Sequence, residues 1–484
     1  MRKKKAYLIG IKGIAMTALA VYLKQKGYQV TGSDVEDIFP TDEVLKKQNI
    51  KIKTGFYPEN IDANYDLVIV TGAHGGMTNP EAVEAKKRGL TTLMNGQALG
   101  NIMKGNVGIS VAGCHGKTTT SALIAFLLAK AGLDPSYIIG TSDINGLGPA
   151  GHFGKGNYFI AEADEYMTCP KTDTRPRFLW QNPKILVITN IEYDHPDAFS
   201  DIADVKKAFL HFLAKVPNDG LIVACADNEN VRDILSKVKR EVLTYGFSPQ
   251  SDFHIKSYSF GEGLSFGRVY HQKLDLGDYM LKIPGKHNLL NALAASIVAN
   301  QLGLSWDKVK DILKLYTGCK RRFEKLGQFK QVLLYDDYAH HPTEISATIS
   351  AAREWFPHRR IVVIFQPHTF SRTKALFAEF TKAFTGADLA VITDIYPSKR
   401  EKFDSTVSSK QLVLEMNRYK NNAVYQKDKE AVLSFLQANA KDNDLVITMG
   451  AGDIFTWQKD LTFLFKSLFG NCHSERSRGI SQLV

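Results

Sequence analysis

The sequence lacks the cysteine spacing of a metal knuckle or a redox motif. Only five of its 484 residues are cysteine, at Cys114, Cys169, Cys225, Cys319 and Cys472, and no two form a CxxC pair. An odd, scattered set reads as reduced thiols in a cytoplasmic protein, and excludes a disulfide-stapled scaffold and a zinc site. Also missing is a run of about 18 apolar residues, so no membrane insertion is expected. The basic start Met1-Arg2-Lys3-Lys4-Lys5 imitates the head of a signal peptide, but the apolar run Ala6-Tyr7-Leu8-Ile9 is too short and turns glycine-rich at Gly10. No repeat of 20–50 residues is present. There is no continuous basic–aromatic stripe of the kind that binds nucleic acid. Lys and Arg exceed Asp and Glu by 61 to 50, a net charge of +11. That balance suits an anionic partner, but the basic residues are scattered as on a solvated surface. The expected protein is soluble and cytoplasmic, a monomer or weak homodimer.

What is present is an ordinary globular composition, 44% hydrophobic and 23% charged, at a length that suggests about three domains. Strand-like and helix-like segments alternate almost throughout, which predicts an α/β protein with mainly parallel sheets. A first unit, residues 1–106, has strands near 6–9, 28–31 and 67–70 and a helix near 16–26. A second, 107–318, opens with a strand near 108–112, a glycine loop and a helix near 118–131. It continues with strands near 158–161, 185–189 and 221–225, glycine-spaced hairpins over 253–281 and a helix near 288–302. A third, 319–470, has strands near 332–335, 361–365, 389–393 and 445–449. Residues 471–484 read as a loose polar tail.

The strongest single signal is Val111-Ala112-Gly113-Cys114-His115-Gly116-Lys117-Thr118-Thr119-Thr120, between a strand and a helix. Backbone N–H groups at a helix start favour anions. Gly113 and Gly116 let the chain turn, Lys117 offers a charge to the β/γ-phosphates, and Thr118 offers a hydroxyl to Mg²⁺. Val111 stands where GxxxxGK[ST] has its first glycine, so the loop is a variant of the common one. Cys114 and His115 are expected to shape it.

Two acidic motifs follow later strands: Glu162-Ala163-Asp164-Glu165-Tyr166, and Asn190-Ile191-Glu192-Tyr193-Asp194-His195-Pro196-Asp197. Carboxylates just past the carboxyl ends of parallel strands sit where open α/β sheets bind ligands. Glu162 is the first choice for a Mg²⁺ ligand, and His195 a candidate for a second cation. His195 reads equally as a packed histidine, and Asp194 and Asp197 as caps of the next helix.

Together with Pro284-Gly285-Lys286-His287-Asn288-Leu289-Leu290-Asn291, Lys320-Arg321-Arg322-Phe323-Glu324, Asp336-Asp337-Tyr338-Ala339-His340-His341-Pro342-Thr343-Glu344, Phe365-Gln366-Pro367-His368-Thr369-Phe370-Ser371-Arg372-Thr373 and Gly450-Ala451-Gly452-Asp453-Ile454, these motifs resemble those of the Mur ligases, in family order over residues 6–455. The resemblance implies three domains: a Rossmann-like UDP-sugar domain, a central P-loop ATPase domain and a Rossmann-like C-terminal domain that brings the amino acid. It implies ATP-dependent joining of L-alanine to UDP-N-acetylmuramate through an acyl phosphate, with ATP and Mg²⁺ as cofactors, in peptidoglycan precursor synthesis. It implies catalytic roles for Lys117, Glu162, His195 and Arg322, and metal ligation by Thr118, Glu162 and His195. ATP would meet Gly113, Cys114, His115, Gly116, Lys117, Thr118, Thr119 and Arg322, with His287, Asn288 and Asn291 near adenine and Asp336 at the ribose. The UDP-sugar would lie at Gly10, Ile11, Lys12, Gly13, Ser33, Asp34, Thr71 and His74, and the amino acid at His340, His341 and Arg372. Lys12 and Ala15 break GxGxxG, which argues against NAD.

Two features depart from the alanine-adding pattern. The gap between Glu162 and His195 is long, with extra chain over 167–182 that carries Lys171, Arg175 and Arg177. A related ligase, which attaches recycled L-alanyl-γ-D-glutamyl-meso-diaminopimelate, has an insertion of similar length. Thr369 stands where the alanine-adding enzymes usually have arginine. The tripeptide is therefore the alternative acceptor. A reading of another class, a non-catalytic nucleotide-dependent binding protein, is opposed by the intact Lys117, Thr118, Glu162, His195 and Arg322.

Overall fold

Near-continuous aliphatic runs such as Val107–Ala112 and Ile185–Ile188 are buried on both faces, as central strands of parallel sheets are. The computed structural model describes residues 2–261, 263–397 and 401–470. The chain divides into two units, Met1–Lys320 and one that starts at Arg321. The tail at 471–484, with Cys472, lies outside the described residues.

The first unit holds two large sheets. The N-terminal one is parallel, in the order Lys51–Thr54, Gln29–Asp34, Lys5–Ile9, Leu67–Val70, Thr92–Met94. The second has ten strands, with Val107–Ala112 between Ile185–Ile188 and Tyr158–Glu162, all parallel. Its edges are antiparallel, at Ser136–Ile144 with Gly148–His152 and in the meander Phe253–Gly261, Leu264–His271, Leu274–Leu281. The sheets share a core: Ala6, Leu8 and Leu19 cluster with Ile138, Phe159 and Ala161. The sheet's next strands in sequence lie on one side of Val107–Ala112, up to Tyr158–Glu162, and from Ile185–Ile188 on they lie on its other side, so the crevice at its carboxyl end is a switch point of the sheet.

The extra chain folds as a hairpin, Met167–Cys169 with Asp173–Pro176, followed by a 3₁₀ turn at Arg177–Trp180. It packs on the N-terminal sheet's loops. A Cβ on Gly72 would run into the Thr168 carbonyl, and one on Gly76 into Cys169 Sγ.

The second unit is one sheet in the order Glu324–Phe329, Val332–Asp337, Asp444–Met449, Arg360–Phe365, Leu389–Ile392, Ala423–Tyr425, parallel except for its first strand. Among the described residues no helix is long and apolar enough to cross a membrane. The four described cysteines are buried and free.

Candidate active site

Gly113 and Gly116 occupy backbone conformations with φ of 139° and 80°, which disfavour a side chain. A Cβ on Gly113 would collide with Thr189 Oγ1, and one on Gly116 would lie 2.6 Å from Asn291 Oδ1. The loop is thus drawn tight against the neighbouring strand end and a second helix. Cys114 shapes it as expected: its thiol donates to the Glu192 carbonyl and accepts from Glu192 N–H, and burial pushes its pKa up, away from reactivity. The His115 backbone N–H donates to Asn190 Oδ1, and its ring lies 3.4 Å from the Glu192 carboxylate.

Helix Lys117–Lys130 begins at the loop, with Thr118 buried in its first turn. Lys117 Nζ folds back, donating to the carbonyls of Gly113 and Cys114 and to both oxygens of Glu165 at 2.9 and 3.1 Å. Burial works against the ammonium, yet Glu165, with Asp164 behind it, holds the Lys117 pKa above its ordinary value. Burial raises Glu165 despite Lys117. Burial would also raise Asp164, but Arg177, Lys117 and His195 hold it below the usual carboxylate range.

His195 has a left-handed backbone, φ 58°. Its Nε2 lies 3.7 Å from both Glu165 Oε1 and Asp194 Oδ2, and its ring packs on Tyr166. Asp164, Glu165 and His195 offer ligand atoms within 4.8 Å of one another. Two carboxylates and an imidazole suit a hard divalent cation such as Mg²⁺. Glu162, the first choice from sequence, ends its strand one step away and accepts the Gly140 backbone N–H at 2.8 Å. Neither Asp194 nor Asp197 caps the next helix; Asp201 does. Asp194 accepts the His195 N–H and Asp197 the Tyr166 hydroxyl.

Helix Lys286–Gln301 backs the loop. Asn291 Nδ2 donates to Asn288 Oδ1, and Asn291 Oδ1 accepts the Thr120 hydroxyl; Asn288 donates to the Pro284 carbonyl. Both asparagines are buried as struts, and His287 is exposed.

In the N-terminal sheet, Gly10 has φ 77° and would meet Thr71 if it bore a Cβ. Asp34 is buried under the turn Gly10-Ile11-Lys12-Gly13 and accepts the Lys12 N–H, with His74 Nε2 3.6 Å away. Burial raises its pKa despite these partners. Ser33 donates to Glu81, a sealed carboxylate also bonded to Tyr7 and Asn60 that the motifs did not single out. Ile11 and Ser33 are wholly buried and Gly10 is buried, so the accessible groups of this crevice are the half-buried Lys12, Gly13, Thr71 and His74.

In the second unit Asp336 has no exposed surface. Its oxygens accept from Arg321 Nε at 2.9 Å and Thr448 Oγ1 at 2.6 Å. The carboxylate is thus held between Arg321 and Thr448 in the interior. Arg321 also donates to the Gly450 carbonyl, whereas Arg322 is half-buried over the Tyr338 ring. Asp337 is pushed up to about 6 by burial, which outweighs Arg322 and the N–H groups of Ala339 and Phe323. His341 caps helix Pro342–Trp355 through Nδ1, and Glu344 completes a capping box. His340 Nδ1 lies 3.2 Å from Glu344. Arg372 Nη1 lies 3.3 Å from His368 Nδ1, and His368 stacks on Tyr396. Thr369, at φ 72°, caps helix Phe370–Ala375.

Glu165, rather than the Glu162 expected from the sequence, is the carboxylate bonded to Lys117. Only the turn after the strand shows which carboxylate reaches Lys117.

Residues 5–106 match the family described as "Mur ligase family, catalytic domain", residues 111–299 "Mur ligase middle domain", and residues 321–452 "Mur ligase, glutamate ligase domain". The chain is 41% identical to the UDP-N-acetylmuramate–L-alanine ligase of Caldanaerobacter subterraneus subsp. tengcongensis, over 93% of this chain and 96% of that one. Its fold is similar to the crystal structure of the UDP-N-acetylmuramate-alanine ligase of Thermotoga maritima, with TM-score 0.80 and 26% identity over 96% of this chain and all of that one. It is also similar in fold to a murein peptide ligase of Psychrobacter arcticus, with TM-score 0.72 and 24% identity over 97% of this chain and all of that one.

Proposed function

The chain belongs to the Mur ligase family, and we propose that it joins L-alanine to the lactyl carboxylate of UDP-N-acetylmuramate with hydrolysis of ATP to ADP and phosphate. The observation that carries the ATP-dependent step is the meeting of Lys117 with Asp164, Glu165 and His195 at three neighbouring strand ends. The choice of acceptor is supported by the 41% identity to an L-alanine ligase over nearly the full chain.

In this reading residues 1–106 hold the UDP-sugar, with Lys12, Gly13, Thr71 and His74 facing it and Gly10, Ile11, Ser33 and Asp34 bracing the turn. Residues 107–318 hold ATP and 319–470 the amino acid. The loop from Gly113 to Thr119 cradles the phosphates through backbone N–H groups. Lys117 exchanges Glu165 for the β/γ-phosphates and lowers the repulsion between triphosphate and carboxylate. The lactyl carboxylate attacks the γ-phosphorus and ADP leaves. The alanine amine then attacks the acyl phosphate carbon, phosphate leaves, and a proton is lost from nitrogen. Arg322 adds positive charge to the phosphoryl group, and His340 and Arg372 orient the amino acid, Arg372 toward its carboxylate. Mg²⁺ fits the oxygen-rich donor set of Thr118, Glu162, Asp164 and Glu165 with His195, and when bound supplies charge neutralisation. Asn288 and Asn291 support the loop, and His287 is the member of that motif open to adenine. Cytoplasmic residence belongs to the same reading.

The hairpin over 167–182 was the chief sequence argument for the tripeptide. Its packing on Gly72 and Gly76 gives it a structural use instead. The test is phosphate release from ATP with UDP-N-acetylmuramate, comparing L-alanine with L-alanyl-γ-D-glutamyl-meso-diaminopimelate. Release with L-alanine is expected; release with the tripeptide alone would replace this reading by the recycling one.

A further inference from the structure

A cavity of about 600 Å³ lies in the first unit, far from the phosphate loop. Its walls are the last turns of helices Asn95–Met103 and Ile202–Leu213 and the segment after the insertion hairpin. Met103 and Asn182 touch Gly108, near the amino end of the strand Val107–Ala112, whereas the phosphate loop leaves its carboxyl end. At ~3.3 Å per residue that strand separates the two places by roughly 17 Å.

The lining carries Lys104, His211 and Lys215 and no carboxylate. Among the described residues Lys104 and His211 have no acidic partner. Lys215 bonds only the neutral Asn182 amide, at 3.0 Å, and burial pushes its ammonium below its ordinary value. Lys104 and His211 are exposed and Lys215 is half-buried; a partly desolvated ammonium without a counter-charge is costly, and an anion that enters removes the cost. Arg175, also in the lining, is already held by Asp173 in two bonds of 2.7 and 2.8 Å, so the planar fork that suits a carboxylate is taken. What remains are the two lysine point charges and the His211 ring N–H, separate donors that suit the oxygens of a phosphate. Leu93, Leu179 and Trp180 form an apolar wall beside them, and the volume is that of a small-molecule site.

We propose that this cavity is a second ligand site, for a phosphate group carried by a small organic molecule, held by Lys104, Lys215 and His211 with its organic part on Leu93, Leu179 and Trp180. The site is independent of the ligase reading.

Calorimetric titration of the full chain, preloaded with ADP and Mg²⁺, tests it with phenyl phosphate and inorganic phosphate as probes. Phenyl phosphate should bind with Kd at or below about 1 mM. The double variant Lys104→Gln/Lys215→Gln should weaken it by about ten-fold or more, as expected for loss of charged hydrogen bonds. Lys117→Ala should leave it unchanged. His211→Ala, a change at an exposed position, should weaken it less and serves if the double variant fails to fold. Equal affinity for inorganic phosphate would support the site and identify free phosphate as its occupant; tighter phenyl phosphate would support an ester. Absence of binding, or binding lost in Lys117→Ala and retained without Lys104 and Lys215, would overturn the proposal.

Discussion

Lys117 Nζ lies 2.9 Å from Glu165 Oε2, with the carboxylate almost sealed from solvent. The same ammonium donates to the carbonyls of Gly113 and Cys114, so its charge is held by a buried acid and by the loop itself. In the proposed reading a triphosphate would take over this counter-ion role, and the pairing keeps the ammonium charged and positioned.

Replacing that ammonium should therefore remove catalysis without removing the fold. Lys117→Ala is expected to lower substrate-dependent phosphate release by about a thousand-fold or more, with an unchanged far-ultraviolet circular dichroism spectrum. Turnover near that of the parent would take the loop out of the mechanism.

His195 contacts Glu165 and Asp194, both outside residues 1–106. His195→Ala should raise the Mg²⁺ concentration for half-maximal activity by about ten-fold and leave the KM for UDP-N-acetylmuramate nearly unchanged. An identical Mg²⁺ titration for variant and parent would refute the assignment.

Gly113 combines a φ of 139° with a Cβ position occupied by Thr189 Oγ1. Gly113→Ala should cost about 1–3 kcal/mol of stability and also abolish ATP binding, readable as a lowered midpoint in urea and a lost ADP-induced rise in Tm.

Burial raises Asp337 to about 6 from an ordinary 3.8. The folded state then holds the proton more tightly than the unfolded one. Its contribution is complete below about pH 4 and is lost as pH rises through about 6, a span of about 3 kcal/mol. Urea unfolding of Asp337→Asn at pH 4.5 and 7.5 should show a smaller loss of stability with rising pH than the parent shows. Parallel pH curves for the two would contradict it.

Much of this was legible in the chain. The order of strands and helices followed from aliphatic runs broken by glycine, because burying both faces of a parallel strand demands such runs. The phosphate loop was legible because its chemistry is local: a strand end, two glycines, a lysine and a helix start lie within ten residues. Cys114 as a loop-shaping residue was legible for the same reason.

Residues whose roles depend on distant partners were not. Asp336 and Asp337 are adjacent in sequence, yet one is paired with Arg321 and Thr448 and the other binds the N–H groups of Ala339 and Phe323. Spacing ranked Glu162 over Glu165, but the turn after the strand brings Glu165 to Lys117 and leaves Glu162 on the Gly140 N–H. The insertion over 167–182 looked like a substrate element and packs as a strut against Gly72 and Gly76. By itself the sequence determined the family, the layered α/β architecture and the phosphate loop, all set by short-range pattern. Tertiary structure alone decided which carboxylate faces the lysine, which aspartate is spent on the interior, and where unpaired cations collect, since burial and charge pairing depend on which strands end side by side.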